Sequence, residues 1–257
     1  MSGMPWSLVN RAARSVSATP LFFCAIFSLA AFLRFRGLNW DDGHLLHPDE
    51  RFLVMVQGAV KWVSSWAEYF DTSRSTLNPH NVGYGFYVYG TFPLFLIRGL
   101  QELLIRFDIP SHLFGRVVSG VADLGTCVAL YFSGRLLGGR AVAIVAMLLC
   151  TVCALHIQQA HFGAVDTLGT FVVSLVLLLA LVVAERGASY TQGKLLMIAA
   201  LAGALVGTAC AVKINLGLVG VLIPLGLWAG TRSFKKSIVG SLAAGVLCLL
   251  FFRVLQP

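Results

Sequence analysis

From about residue 113 to residue 254 the chain is a succession of apolar stretches, each close to twenty residues and separated from the next by a short polar or basic connection. A backbone in hydrocarbon must satisfy its own hydrogen bonds, so stretches of this length read as membrane-crossing helices. Spans fall near 113–134, 141–160, 165–184, 195–212, 215–230 and 237–254. A seventh, near 18–35, is close to the lower length limit for ~30 Å of hydrocarbon. Composition agrees: 58% of residues are apolar and 12% are charged, against roughly 25% charged in soluble domains. The expected fold is all-α, a polytopic membrane helix bundle forming a single module over 1–257. Gly203, Gly207, Gly217, Gly220, Gly240 and Gly245 lie inside the spans, which suits close helix packing in lipid.

Arg11 and Arg14 precede the first apolar run, as in a signal peptide. The run ends in Phe32-Leu-Arg-Phe-Arg36 without a small-residue cleavage site, so it reads as a retained helix. The six cysteines (24, 127, 150, 153, 210 and 248) all lie in apolar stretches, which excludes disulfides across a polar loop. Cys150 and Cys153 have CxxC spacing, but no second pair completes a zinc site.

The net charge of +8 is an orientation signal rather than a nucleic-acid footprint. The connections 135–140, 186–194 and 231–236 are short and basic, and seven crossings put all three on the side of the basic lead at 1–16. The positive-inside rule makes that side, with the N-terminus, cytoplasmic. The polar segment 37–112 is then an external loop, and all six histidines fall at or toward the outer face.

That loop holds Asp41, Asp42, Asp49, Glu50, Glu68 and Asp71, six of the eleven acids in the chain. Pro48 suits a first helical turn, and Asp49 and Glu50 beside it suit the helix dipole. Phe52, Val56, Val60, Val63 and Ala67 recur at helical spacing and predict one interfacial helix, with Trp62 and Trp66 as anchors. Asn78-Pro79 ends any helix before it. Residues 93–107 fit either a span or a juxtamembrane helix, and the charge parity favours the second.

Several polar groups are candidates for chemistry. Asp49, beside Glu50, is a candidate general base if burial and neighbours tune it; its plain alternative is a helix-start charge. Asp166 follows His156, Gln158, Gln159 and His161 at a turn between apolar stretches, where an ionisable group is costly unless paired or used. His161 and Asp166 can share a divalent metal with Asp49, or simply line a wet turn. Arg116 and Asp123 lie near one helix face. Arg116 can meet a phosphate, and Asp123 reads as a structural acceptor between helices. Lys213 closes an apolar run, where snorkelling explains it; a point charge facing a lipid phosphate is the functional alternative.

An ordered set of motifs runs through these positions: Arg34-x-Arg36, His47-Pro-Asp-Glu-Arg51, Asn78-Pro-His80, Tyr89-Gly-Thr-Phe-Pro-Leu94, His156-Ile-Gln-Gln-Ala-His-Phe-Gly-Ala-Val-Asp166 and Ala211-Val-Lys-Ile-Asn215. The set resembles the N-terminal membrane half of polyprenyl-phosphate-dependent glycosyltransferases. These are the protein mannosyltransferase-like and lipid A aminoarabinose transferase-like enzymes of glycosyltransferase family 39, with the GT-C fold. The likeness covers nearly the whole chain, and its two acidic motifs are the most specific part.

The resemblance implies Asp49 as catalytic base with Glu50 as its neighbour. It implies Asp166 as a second acidic residue that, in some members, binds a divalent cation. It also implies juxtamembrane helices in the first external loop and an inverting transfer from a sugar on a polyprenyl phosphate. Arg116, Lys213 or a metal would stabilise the leaving phosphate. A basic residue in the loop of some members has His80 as its nearest equivalent here. Family members are longer, so the expected partners are polyprenyl phosphate or other lipids and a second membrane protein or larger complex; nucleic acid is not expected. The alternative is a non-catalytic homologue acting as an assembly subunit. The expected location is the bacterial inner membrane.

Overall fold

The computed structural model describes the backbone of residues 6–107 and 109–257, with side chains from residue 19 onward in that range; the basic lead at 1–16 lies outside the described side chains. Every element among the described residues is helical. In chain order these are α1 (Trp6–Phe35), α2 (Pro48–Ala59), α3 (Trp66–Tyr69), α4 (Phe92–Leu103), α5 (Ser111–Val152), α6 (Ala154–Ala160), α7 (Asp166–Arg186), α8 (Gln192–Val212), α9 (Leu222–Thr231) and α10 (Phe234–Leu255), with short 3-10 turns between some of them.

Among the described residues, five stretches are long and apolar enough to cross a membrane: Ser111–Val152, Asp166–Ser189, Gln192–Val212, Ile214–Thr231 and Phe234–Leu255. Thr19–Phe35 is apolar but shorter. Leu149, Leu201, Leu242 and Val246 are all more than half exposed on the bundle surface. A surface of this kind suits lipid rather than water. The chain is therefore an all-α helix bundle with the character of a multi-pass membrane protein.

The spans expected at 113–134 and 141–160 are the two helical arms of α5, which reverses direction between them at Gly138 and Gly139. Gly139 has φ 78° and ψ −159°, a conformation that a side chain would strain. The two arms run antiparallel: Cys127 Sγ is 3.5 Å from Cys150 Sγ, and a Cβ on Gly134 would sit 3.0 Å from Ala143 Cα. The second arm stops at Val152, because Cys153 takes an extended conformation, and the chain resumes as α6.

Small residues set the closest helix contacts. A Cβ on Gly203 would lie 2.0 Å from Ala244 O, and one on Gly207 would lie 2.3 Å from Cys248 O. These two glycines of α8, four residues apart, let the backbone of α10 approach in parallel.

The loop 37–112 caps the end of the bundle where α1 and α8 finish and α7 begins. The single interfacial helix expected over 48–67 is two pieces. α2 stops at Ala59, Val60 turns extended (φ −68°, ψ 143°), and Lys61 N–H donates to Thr76 O at 3.2 Å. β-branched Val60 and Val63 favour that extended path, and Ser65 caps the short α3 by accepting from Glu68 N–H. Trp62 and Trp66 are 42% and 75% exposed, as interfacial anchors would be. α4 has 12 residues, about 18 Å at 1.5 Å per residue, well short of ~30 Å of hydrocarbon.

Leu53, Val56, Val60, Leu77 and Leu94 of this cap form one core with Val165 and Leu168 of the α7 end and Val212 of α8. The cap also reaches α10: Tyr69 Oη donates to Val254 O at 2.6 Å, and Thr91 Oγ1 donates to Leu255 O at 3.0 Å.

Candidate functional site

Two buried arginines organise the capped end. Arg116, on the first arm of α5, is fully buried. It donates to Glu50 Oε1 (2.7 Å) and Oε2 (2.8 Å), Asp41 Oδ2 (2.8 Å) and Leu38 O (2.6 Å). Glu50 also accepts from Gly163 N–H at 2.8 Å, so one carboxylate ties α2, α5 and the 161–165 turn together. Asp41 further accepts from Gly43 and Leu46 N–H. The Arg116 guanidinium, with these backbone donors, holds the Asp41 carboxyl well below the usual carboxylate range. Glu50 and Arg116 are thus arranged as scaffold, with their polar atoms turned toward one another.

Arg34 is the second node, also fully buried. The second arm of α5 ends in unpaired carbonyls, as every helix end does. Arg34 meets them directly: Nη1 donates to Thr151 O at 2.7 Å and Nη2 to Cys150 O at 3.0 Å. A cation here also complements the helix dipole. Its Nε donates to Asp123 Oδ2 at 2.8 Å. The break at Cys153 then turns α6 so that His156 Nδ1 bonds the other oxygen of Asp123. Asp123 is the interhelical acceptor expected from its place in an apolar stretch. Its two partners, Arg34 and His156, were not read from the sequence. An ionisable group inside a span demands partners, and that demand was the available signal.

Three further candidates, Asp49, Asp166 and Lys213, gather around Tyr89. Lys213, just after α8, reaches Asp166 Oδ1 at 3.3 Å, and its Nζ lies 5.9 Å from the Tyr89 ring centroid. Burial, then the charge and hydrogen bonding of Asp49, then the charge of Asp166 push the Tyr89 hydroxyl above its usual value. Asp49, Asp166 and Lys213, from three separate segments, therefore share one tyrosine as neighbour. Tyr89 stands in the stretch Tyr89 to Leu94, and its aromatic neighbours Tyr84, Phe86, Tyr87 and Phe92 read from the sequence as an interfacial belt rather than a site. Its position comes from Gly90, whose N–H donates to Val212 O at 2.9 Å. A Cβ on Gly90 would lie 1.8 Å from Ala211 O, so only glycine lets the cap dock here. Tyr87 Oη fixes the turn by donating to Gly90 O at 3.0 Å.

A cleft of about 280 Å³ opens next to this group, lined by Asp123, His156, Gln159, Asp166, Thr167 and Thr170 among others. His161 lies nearby, but its ring nitrogens face carbonyls, Ile157 O at 2.7 Å and Arg36 O at 2.9 Å. It bridges α6 to the end of α1. No group of three His, Cys, Asp or Glu side chains among the described residues is arranged to hold a metal ion. The set Asp49, Asp166 and His161 is therefore not drawn together as ligands, because His161 is turned to the backbone. His80 sits on an exposed turn, where its N–H donates to Asn78 Oδ1 at 3.1 Å. Cys150 lies against the Arg34 site, and all six cysteines are free.

No family model, curated protein or solved structure matches the chain. Fold and site together define a class: a helical, polytopic membrane-type protein with a polar, charge-paired end closed by an ordered loop.

Proposed function

We propose that this protein is a GT-C-like glycosyltransferase module that transfers a sugar from a polyprenyl-phosphate donor to a hydroxyl-bearing acceptor. In this reading α1, both arms of α5, α7, α8, α9 with its preceding 3-10 turn, and α10 make seven crossings, and the capped end faces outward.

The observation that carries the reading is the meeting of Asp49, Tyr89, Asp166 and Lys213 beside a polar cleft at one end of an apolar bundle. A lipid-linked sugar needs such a place, where a headgroup enters from the bilayer surface. Asp49 is half-buried at the first turn of α2 and carries the base role. The acceptor O–H gives its proton to the Asp49 carboxylate while the acceptor oxygen bonds to the anomeric carbon. The bond from that carbon to the phosphate oxygen breaks, and the lipid phosphate leaves with the electron pair. The anomeric centre inverts. Lys213 offers the leaving phosphate a positive charge, and Asp166 holds Lys213 in place between turnovers. Glu50 and Arg116 keep α2 in position.

The test is sugar transfer in native-membrane vesicles with radiolabelled polyprenyl-phosphate sugars. Asp49→Asn is expected to lower transfer by at least about a hundredfold, the scale of a lost general base, with expression and thermal stability unchanged. Full transfer by Asp49→Asn would remove Asp49 from the base role, and transfer no higher than in vesicles lacking the protein would remove the reading and leave an assembly subunit as the better account.

A further inference from the structure

The end of the bundle opposite the cap holds charge that the chain does not balance. Nine of the eleven acids lie between residues 41 and 123, Asp166 opens α7, and Glu185 alone follows. The connections 135–140, 186–194 and 231–236 meanwhile bring seven basic residues to that end. Most face no apolar hollow that the structure records. Arg135 and Arg140 do.

A groove of about 400 Å³ runs between α1 and the fold-back of α5, lined by Pro20, Phe23, Cys24, Phe132, Arg135 and Arg140 among others. Arg135 lies near the end of the first arm and Arg140 just after Gly139, so the reversal brings a cation from each side of the turn to one groove. Both side chains are exposed, and neither has a hydrogen bond or ion pair among the described residues. Residues 1–18 contain no Asp or Glu, so no carboxylate comes from the lead. The wall beside the arginines is aromatic. Phe23 meets Tyr131 edge to face, with ring centroids 4.9 Å apart. Tyr131, also in the lining, is 8% exposed; its hydroxyl has no hydrogen-bond partner among the described residues and is not enclosed.

Depth matters as much as charge. From Phe35 at the capped end back to Thr19, α1 rises about 24 Å at 1.5 Å per residue. The groove therefore lies close to the far edge of ~30 Å of hydrocarbon, where lipid phosphates stand above their acyl chains. Guanidinium groups bind phosphate through paired N–H donors. Free phosphate would use the arginines and leave the aromatic wall bare. A zwitterionic lipid would fill the wall but bring its own cation to the arginines. An anionic phospholipid satisfies both parts. We propose that this groove is a binding site for an anionic phospholipid, its phosphate held by Arg135 and Arg140 and an acyl chain laid against Pro20, Phe23 and Phe132. The site is at the opposite end from Asp49, Asp166 and Lys213 and does not depend on the transferase reading.

The experiment uses the whole chain in detergent, titrated with phosphatidylglycerol or phosphatidylcholine, with the first bound lipid counted by native mass spectrometry. Phosphatidylglycerol is expected to bind at least about tenfold more tightly than phosphatidylcholine. Arg135→Gln/Arg140→Gln should remove that preference, the scale of two cations near a lipid surface. Lys235→Gln/Lys236→Gln takes the same charge from another connection at the same end and should leave the preference in place. Cys24→Trp fills the groove without changing charge and should also weaken the first site about tenfold, so it keeps the test valid if the arginine variant folds poorly. Equal affinity for the two lipids overturns the site. So do equal losses in the two charge variants, which would mark diffuse attraction, and unchanged affinity in either Arg135→Gln/Arg140→Gln or Cys24→Trp. Displacement of the lipid by inorganic phosphate at constant ionic strength would mark a free-anion site and overturn it as well.

Discussion

Replacing Arg116 by methionine removes four side-chain hydrogen bonds from a fully buried node. It leaves Glu50 and Asp41 enclosed without their cation. Breaking a buried ion pair from one side costs about 3–5 kcal/mol, because the surviving charge has lost both water and partner. The pH dependence should also change sign. In the wild type the Asp41 carboxyl is held below its ordinary value. The stability from that pairing is fully present above about pH 3.9 and lost as the pH falls through the lowered value. In Arg116→Met the buried carboxylate is destabilised as an anion, so the folded protein binds a proton more readily than the unfolded chain, and stability rises as the pH falls from 7 to 5. Unfolding by sodium dodecyl sulfate in mixed micelles, followed by tryptophan fluorescence at several pH values, reads both effects. Arg116→Met/Glu50→Met should recover at least about 1 kcal/mol, since apolar pairs often match buried ionic ones. A loss under about 1 kcal/mol, or stability that falls between pH 7 and 5 in Arg116→Met, would refute the scaffold assignment.

Gly90→Ala places a Cβ 1.8 Å from Ala211 O and should cost about 1–3 kcal/mol by overpacking. It should also free Tyr89, which crosslinking between cysteines placed at 88 and 214 would detect as a lost product. Gly203→Leu, whose first side-chain carbon would meet Ala244 O at 2.0 Å, should separate α8 from α10. The same micelle titration checks it, and Gly245→Ala, with open space around it, serves as the neutral control.

The helices were legible because apolar length is a strong local signal, and each stretch expected between 113 and 254 falls mostly on helix among the described residues, with 141–160 broken at Cys153 and 215–230 starting as a 3-10 turn. Their joints were less legible. The fold-back at Gly138–Gly139 is the exception, since two basic residues and two glycines mark it and both glycines leave helical dihedrals, so 113–134 and 141–160 fall on separate helical arms; the break at Cys153 carried no such mark. The end of α2 was misread because Val56 and Val60 are buried under either a helical or an extended path, and hydrophobic spacing alone does not separate the two. Of the site, Asp166 and Lys213 were read separately, one as an acid at a turn and the other as a lysine closing an apolar run, and they lie 3.3 Å apart. Tyr89 was not expected there, because its place depends on the backbone contact at Gly90, and no local pattern records a contact 122 residues distant in sequence.

The buried charges explain why so apolar a chain can hold a polar end at all. Arg34 and Arg116 sit on different helices, each enclosed, and each meets a carboxylate and at least one backbone carbonyl. Neither is costly in the way a lone ion in lipid would be. Each instead joins segments that apolar contact alone would leave free to slide: Arg34 ties α1 to both arms of α5, and Arg116 ties α5 to α2 and the 38–41 loop. Leucine-on-leucine packing has no preferred register in hydrocarbon, since lipid is as good a neighbour as another leucine. Register at the capped end is therefore set by ion pairs whose partners lie 66 to 89 residues apart. With that register fixed, His156 and Asp166 are held on the wall of the cleft, and Lys213 reaches Asp166 from the end of α8.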